Sequence, residues 1–326
     1  MPSREQKLCS RLFLSVLAGL WSVVRSPAVN FAAVFPPMVT PFDNDDIDVR
    51  AIGANVEKWA RAGVGGVVAL GSNGEAPLID ESESDRVLEA VRDALPSKLL
   101  LIAGAGREST RATIAAATRA AHCGADAVLV RTPSYFKSRM TADAFLRHYT
   151  AVADASPVPV LLYNYPALTG VNLTPDAVSR LAQHPNVVGM KETGVDTAQF
   201  AAFVASVPAS FAVIAGSALV FYPWLCVGAT GGILALACVL PEACVALHEH
   251  ALAGRHPAAR ALQQELTPLA RLVTTTHGVP GLKAAMDLAG YIGGVPRSPL
   301  APASAAAIDE IRAELNRVRR VCEQYA

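Results

Sequence analysis

The stretch "VPVLLYN" (residues 158–164), together with "NVVGMK" (residues 186–191), decides the fold class of this chain. Both runs are apolar on nearly every residue, whereas a strand with one face in solvent alternates apolar and polar side chains. Continuous apolar runs therefore predict parallel strands that are covered on both faces. A helix-like segment separates the two runs, as expected for a strand–helix–strand unit.

Runs of the same kind recur from Phe31 onward and alternate with helix-like segments. Several of these segments begin with Ser, Thr or Asp, which are residues that cap helix N-termini. Eight strand–helix repeats over about 200 residues predict a closed (β/α)8 TIM barrel, with a doubly wound sheet as the alternative. The candidate strands are "AAVFPPMVT", "GGVVAL", "LLLIAG", "DAVLVR", "VPVLLYN", "NVVGMK", "FAVIAG" and "ATGGILAL".

The chain divides into three predicted parts. Residues 31–235 carry the repeats and are predicted to form the barrel, and residues 236–326 are helical in pattern and are predicted to form a C-terminal extension. Residues 1–30 are predicted to be a transit peptide or a disordered N-terminus. Their basic residues surround the apolar run "LFLSVLAGLWSVV", which is too short to span a bilayer. We favour a mitochondrial location, with a secretory signal or a cytoplasmic protein as alternatives.

Composition excludes several functional classes. Lys plus Arg and Asp plus Glu each number 28, and no basic stripe is present, so no nucleic-acid partner is expected. The six cysteines are scattered without a CxxC pair, which predicts reduced thiols and no disulfide framework. No HExxH or similar array appears, so neither a metal site nor a cofactor is expected, and no membrane association is expected.

Candidate functional residues lie where the predicted strands end, because barrel active sites are built at the C-terminal ends of the strands. Lys191 ends the sixth strand, where a solvated strand end is the bland interpretation. Tyr163 and Tyr135 follow two earlier strands and would otherwise be packing residues. The motifs at these ends are "GSNGE" (residues 71–75), "RTPSYF" (131–136), "YNYP" (163–166) and "GSA" (216–218).

The combination of these side chains indicates imine chemistry. A lysine in a low-dielectric barrel loses its proton readily and forms a Schiff base with a ketone. A tyrosine hydroxyl, from Tyr163 or Tyr135, relays the protons. The turn at Ser72 and Asn73 offers N–H groups and polar side chains for a carboxylate, although it could also cap the next helix. Glu75 is interpreted as a structural residue, for example a first-turn carboxylate that favours the helix dipole.

The motifs "GSNGE", "TPSYF", "YNYPALTG", "GMKETG" and "GSA" resemble, in order, those of the dihydrodipicolinate synthase/N-acetylneuraminate lyase family. The resemblance implies a pyruvate-dependent class I aldolase or synthase, usually a homotetramer. It implies that Lys191 forms the imine, that Tyr163 relays protons assisted by Ser72, and that Ser72, Asn73 and Gly216 bind substrate. Tyr135 matches the tyrosine that in some members reaches the site of a neighbouring subunit.

Departures from the family pattern bear on the substrate, a small 2-oxo acid. In the synthases an arginine usually follows the "YNxP" tyrosine by five residues, and here that position is Leu168. "GSNGE", "AQHPNVVGMKETG" and "HGVPGLKAAMDLAGYIGG" most resemble the mitochondrial 4-hydroxy-2-oxoglutarate aldolases. The resemblance therefore implies cleavage of 4-hydroxy-2-oxoglutarate. The alternatives are N-acetylneuraminate lyase, a 2-keto-3-deoxy-sugar-acid aldolase, dihydrodipicolinate synthase, or a barrel that binds a keto acid without turning it over.

Overall fold

The computed structural model describes residues 29–322, so the predicted N-terminal transit peptide lies outside the described residues. Eight parallel strands and a short antiparallel hairpin, β2–β3, make up the sheets of this part of the chain. In chain order the strands are β1 (Val34–Phe35), β2 (Phe42–Asp43), β3 (Asp46–Ile47), β4 (Gly66–Ala69), β5 (Leu100–Gly104), β6 (Ala127–Arg131), β7 (Val160–Asn164), β8 (Val187–Glu192), β9 (Ala212–Ala215) and β10 (Gly231–Ile233).

The parallel sheet closes on itself. Its spatial order runs from β4 through β5 to β9 in sequence, then to β10 and β1. Backbone hydrogen bonds join the two ends, because Met38 N donates to Val68 O at 2.9 Å and Val68 N donates to Pro36 O at 3.0 Å. The predicted (β/α)8 barrel is confirmed, and the doubly wound alternative is wrong.

Helices surround the barrel and form the C-terminal part of the chain. Two of the predicted helix starts are capped as expected, since the side chains of Ser109 and Thr141 accept backbone N–H groups of the helices they precede. The helix predicted to begin at Ser82 begins earlier, at Glu81, and its cap is Asp80. The helices are α1 (Val49–Arg61), α2 (Glu81–Ala94), α3 (Thr110–His122), α4 (Ala142–Ala155), α5 (Pro166–Thr169), α6 (Pro175–Leu181), α7 (Thr197–Ser206), α8 (Phe221–Cys226), α9 (Pro241–Leu252), α10 (His256–Arg271), α11 (Gly278–Leu288) and α12 (Ala305–Cys322).

Two apolar cores explain why the strands are apolar on consecutive residues. Leu161 and Tyr163 of β7 belong to a cluster inside the barrel, whereas Val160 and Leu162 of the same strand belong to the cluster between the strands and the helices. Alternate residues of a strand point to opposite faces, so a strand buried on both faces is apolar along most of its length.

The C-terminal helices pack on one another and on the barrel. The helix α9 packs against β1, and α11 packs against α12. The division predicted at residue 235 falls two residues after β10 and stays a prediction. No helix within residues 29–322 is both long and apolar enough to cross a membrane.

Candidate active site

Lys191 is buried at the end of β8, with 5% of its surface exposed. It pairs in register with Tyr163 of β7, so the two side chains share one face of the sheet. The Nζ atom lies 4.4 Å from the centroid of the Tyr163 ring. Burial lowers the pKa of Lys191 to about 7, because the charged ammonium loses its hydration. A substantial fraction of this amine is therefore neutral and nucleophilic near neutral pH.

Tyr163 is the second buried member of the site, with 4% of its surface exposed. Its Oη lies 3.4 Å from Ser72 Oγ, a long contact in which either hydroxyl can donate. Burial raises the pKa of Tyr163 above its usual value, so the phenol keeps its proton at neutral pH. Tyr165 stacks on it with 6.1 Å between the ring centroids. Tyr163 can thus donate a proton beside the Lys191 amine and receive one from Ser72.

The Ser72–Asn73 turn follows β4 and ends beside Tyr163. Its two N–H groups donate to no protein acceptor within the described part of the chain, so they are available to an anion. Ser72 lines the cavity at the barrel mouth. The Asn73 amide instead donates to Pro37 O at 3.4 Å. The structure therefore brings Lys191, Tyr163 and Ser72 together, and ties the Asn73 side chain to the backbone after β1.

Glu75 is the last residue of the "GSNGE" motif and is held by an ion pair. The suggestion that its carboxylate interacts with the dipole of an α-helix is wrong. It has a left-handed φ of 57° and precedes only a short 3-10 helix, Ala76–Leu78. The carboxylate is buried and pairs with Lys283 Nζ at 2.7 Å. Its other oxygen accepts the backbone N–H of Arg297 at 2.8 Å. Lys283 also donates to Thr40 O and Val295 O, both at 2.9 Å, so α11 and the loop that follows it anchor the turn.

Of the predicted site residues, Ser72 and Tyr163 line the cavity, whereas Lys191, Asn73, Tyr135 and Gly216 are not among the residues that line it. Tyr135 is 79% exposed and packs edge-on against Phe136, with 5.0 Å between the ring centroids. Its predicted reach into a neighbouring subunit stays a prediction. Gly216 donates its N–H to Glu192 O at 2.7 Å, and a Cβ there would lie 2.0 Å from Thr193 Oγ1. A glycine at this position is required by close packing of β8 and β9, and its role in substrate binding stays a prediction.

A cavity of about 410 Å³ opens at the C-terminal ends of the strands. A narrower recess of about 70 Å³ adjoins it, and four residues line both: Ser72, Pro77, Arg131 and Tyr163. The wider cavity is also lined by Tyr165, Leu168 and Pro299, and the recess by Arg107. The size suits a small carboxylic acid held between the turn and the tyrosine.

Two groups of charged and polar residues around the site were not singled out from the sequence. Glu192 is buried next to Lys191, and burial raises the pKa of its carboxyl to about 7. It accepts a hydrogen bond of 2.6 Å from Asn164 Nδ2, whose Oδ1 accepts the N–H of Leu173. Alternation along β8 places Glu192 on the outer face of the barrel, behind Lys191.

The second group is the ion pair of Arg131 with Glu108, and both residues line the cavity. The alternation of Leu129 and Arg131 along one strand was the available signal.

Metal ligation has no evident place at this site. Within residues 29–322, no group of three or more His, Cys, Asp or Glu side chains is placed to hold a metal ion. The residues that meet at the barrel mouth supply an amine, two hydroxyls and free backbone N–H groups. Those groups can perform imine formation and proton transfer by themselves.

Comparisons with known proteins agree with this geometry. A profile of the dihydrodipicolinate synthetase family matches residues 30–318. A 4-hydroxy-tetrahydrodipicolinate synthase from an Exiguobacterium species is 37% identical over 279 residues, which cover 85% of this chain and 94% of that protein. A probable mitochondrial 4-hydroxy-2-oxoglutarate aldolase from Emericella nidulans is 38% identical over 299 residues, which cover 89% and 96%.

A solved structure gives the same picture of the fold. The prophage protein YagE from E. coli K12, of the dihydrodipicolinic acid synthase family and in complex with pyruvate, matches with a TM-score of 0.83. It is 28% identical and covers 89% of this chain and 99% of its own. The family resemblance that the motifs indicated is therefore confirmed.

Proposed function

The chain belongs to the dihydrodipicolinate synthetase family, and on that basis we propose that it is a class I aldolase that cleaves 4-hydroxy-2-oxoglutarate to pyruvate and glyoxylate. The observation that carries the proposal is a buried amine with a pKa near 7, 4.4 Å from the ring of a protonated tyrosine. This pair is what formation of an imine requires, since one group attacks and the other supplies a proton.

The proposed reaction begins with binding of the C1 carboxylate by the turn at Ser72 and Asn73. Neutral Lys191 attacks the C2 carbonyl carbon, and Tyr163 protonates the oxygen, which departs as water from the carbinolamine. The resulting iminium draws electrons from the neighbouring bond. Loss of the C4 hydroxyl proton, relayed through Tyr163, then breaks the C3–C4 bond and releases glyoxylate. The enamine takes a proton on C3, and water hydrolyses the imine to free pyruvate and Lys191.

The choice of substrate has its own support. The Emericella nidulans relative is named as a probable aldolase of 4-hydroxy-2-oxoglutarate and is 38% identical. Leu168 stands where the synthases usually have an arginine, and its side chain is exposed at the cavity rim. The second candidate is dihydrodipicolinate synthesis, which is favoured by the 37% identity to the Exiguobacterium synthase. Both reactions begin with an imine between Lys191 and a 2-oxo acid, which is 4-hydroxy-2-oxoglutarate in the cleavage and pyruvate in the synthesis.

Assembly and location are proposed from the same resemblance. We propose a homotetramer in which Tyr135 of one subunit assists the site of its neighbour, since this tyrosine and Phe136 form an exposed aromatic pair. We also propose a mitochondrial location, because the Emericella nidulans relative is named as mitochondrial. Sedimentation of the wild type and the Tyr135→Ala variant, and import assays of the full chain, test these two points.

Two experiments test the activity. Borohydride reduction in the presence of pyruvate, followed by peptide mass mapping, should label Lys191. No label, or a label elsewhere, contradicts the imine mechanism. A panel of four substrates, 4-hydroxy-2-oxoglutarate, N-acetylneuraminate, a 2-keto-3-deoxy-sugar acid and pyruvate with aspartate semialdehyde, then identifies the reaction. Preferential turnover of any of the last three contradicts the proposed substrate.

A further inference from the structure

Arg131 is a cation at the active-site mouth that the proposed mechanism does not use. It is the last residue of β6 and pairs in register with Tyr163. Leu129, two residues earlier, belongs to the cluster inside the barrel, so Arg131 lies on the same inward-facing side. The arginine lines both the cavity and the recess, together with Ser72 and Tyr163.

The neighbouring strand end leaves room for this arginine. A Cβ on Gly106 would lie 2.5 Å from Arg131 N and 2.6 Å from Arg131 Cγ, closer than side-chain atoms approach one another. Glycine at position 106 therefore lets the stem of Arg131 lie against the backbone that follows β5. The position of the arginine is set by the packing of two strand ends.

The hydrogen bonds of Arg131 leave part of the guanidinium available. Nη1 donates to Glu108 Oε1 at 2.7 Å and to Thr132 O at 3.2 Å. Within residues 29–322, Nε and Nη2 donate to no protein acceptor. Glu108 is itself fixed, because its Oε2 accepts the N–H groups of Ser134 and Tyr135, both at 2.9 Å. Glu108 thus holds Arg131 by one nitrogen and leaves the Nε–Nη2 edge free for a bidentate contact with a carboxylate.

The proposed substrate brings a second carboxylate that needs a partner. The C1 carboxylate meets the turn at Ser72, and the C5 carboxylate lies at the other end of a five-carbon chain fixed at C2 by Lys191. One strand separates β6 from β8, so their backbones lie about 10 Å apart. The chain beyond C2 together with an arginine side chain spans that distance. Arg131 is the one cation among the described residues that line this cavity; the carboxylate of Glu75 is paired with Lys283, and that of Glu108 holds Arg131 itself.

We propose that Arg131 binds the carboxylate at the far end of the substrate and so selects 2-oxo acids that end in a carboxylate over those with a neutral end. The inference rests on the proposed function and deepens it. In the reverse direction, the same contact selects an aldehyde that carries a carboxylate, such as glyoxylate, over a neutral aldehyde. Arg107 lines the recess but not the wider cavity, and it is the competing cation that the test has to separate from Arg131.

The test compares glyoxylate with acetaldehyde as the acceptor for pyruvate in the wild type and in Arg131→Gln. The ratio of kcat/KM for glyoxylate to kcat/KM for acetaldehyde should fall roughly 10- to 100-fold in Arg131→Gln, as expected for loss of a charge-assisted bidentate contact. The ratio should fall less in Arg131→Lys, because lysine keeps the positive charge and loses only the bidentate geometry of the guanidinium. Trapping of pyruvate on Lys191 by borohydride should persist in Arg131→Gln, since pyruvate has no far carboxylate.

Two matched variants separate binding from support of the loop. Glu108→Gln removes the ion pair but keeps the arginine, so its ratio should fall far less than that of Arg131→Gln. An equal fall in both variants, or an unchanged ratio in Arg131→Gln, overturns the inference. A fall in Arg107→Gln in place of Arg131→Gln also overturns it. Absence of any pyruvate label in the wild type would instead contradict the proposed function itself.

Discussion

Lys191 and Tyr163 lie directly opposite each other on adjacent parallel strands, and the amine stands 4.4 Å from the centre of the phenol ring. Neither side chain has a carboxylate partner within the described residues. Burial acts on both in the direction of the uncharged form, since it lowers the pKa of the lysine and raises that of the tyrosine. Burial in the barrel therefore favours a neutral amine beside a protonated phenol.

Imine formation should follow the ionisation of Lys191. Since burial lowers its pKa to about 7, the neutral amine becomes the major form above that pH. The rate of borohydride trapping with pyruvate should rise between about pH 6 and pH 8 and then level off. Single-turnover mass spectrometry across this range measures it. A rate that keeps rising beyond pH 9 would show an amine with its ordinary pKa.

Replacement of Lys191 by Met should stabilise the protein in a pH-dependent way. The pKa of the lysine is about 7 when folded and 10.5 ordinarily, so between these values the unfolded chain binds more protons. The free energy of unfolding of the wild type therefore rises with pH in this window. Lys191→Met lacks that term, so its advantage should be greatest near pH 7 and shrink by up to about 1.4 kcal/mol per pH unit toward pH 10.

Urea unfolding at several pH values measures this difference. Lys98→Met is the matched control, because Lys98 is an exposed lysine on a loop before β5. Its free energy of unfolding should differ little from that of the wild type at every pH. A gap between Lys191→Met and the wild type that does not change with pH would refute the argument.

Loss of the Tyr163 hydroxyl should slow the reaction without displacing pyruvate. Tyr163→Phe keeps the ring beside Lys191 and removes the proton donor, so kcat should fall roughly 100- to 10,000-fold. The KM for pyruvate should change much less, because the turn at Ser72 is intact. Tyr165→Phe is the comparison, since it removes the hydroxyl of the ring that stacks on Tyr163. Steady-state kinetics in the aldol direction decide, and similar losses in the two variants would count against the relay.

The Glu75–Lys283 ion pair should matter strongly for stability. Lys283→Met leaves a buried carboxylate without its partner, which costs about 3–5 kcal/mol in comparable cases. Adding Glu75→Gln should recover much of the loss, because the amide carries no charge. Chemical denaturation of the two single variants and the double variant measures the coupling. Additive losses in the double variant would mean that the pair does not act as a unit.

The sequence predicted the parts of the fold and the site that depend on local pattern. Apolar runs and helix caps are local, and Lys191 stood out because a charge ended an apolar strand. Because the C-terminal strand ends of a barrel converge, the same reasoning placed Tyr163 and Ser72 near Lys191. Arg131 was within a quoted motif, but its inward direction depends on the register of β6, and a shift by one residue reverses it.

Contacts between residues that are distant along the chain could not be predicted from local sequence patterns. The contact of Glu75 with Lys283 joins a barrel turn to α11, and no periodicity in either segment indicates the other. The exposure of Tyr135 was equally hidden, because a tyrosine after a strand packs inward or outward according to the loop around it. Its N–H bond to Glu108 decides the path of that loop.

The anchoring of the Ser72 turn by Lys283 and Arg297 also has a consequence for the nascent chain. The backbone N–H of Arg297 donates to one oxygen of Glu75 and follows it by 222 residues, and Lys283 precedes Arg297 by 14 residues. During synthesis every barrel strand leaves the ribosome before these two residues do. Lys191 is thus translated well before Lys283 and Arg297, the residues that anchor the Ser72 turn. In a nascent chain that ends before residue 283, Glu75 therefore lacks both partners, and the Ser72 turn is without this anchor until the protein is nearly complete.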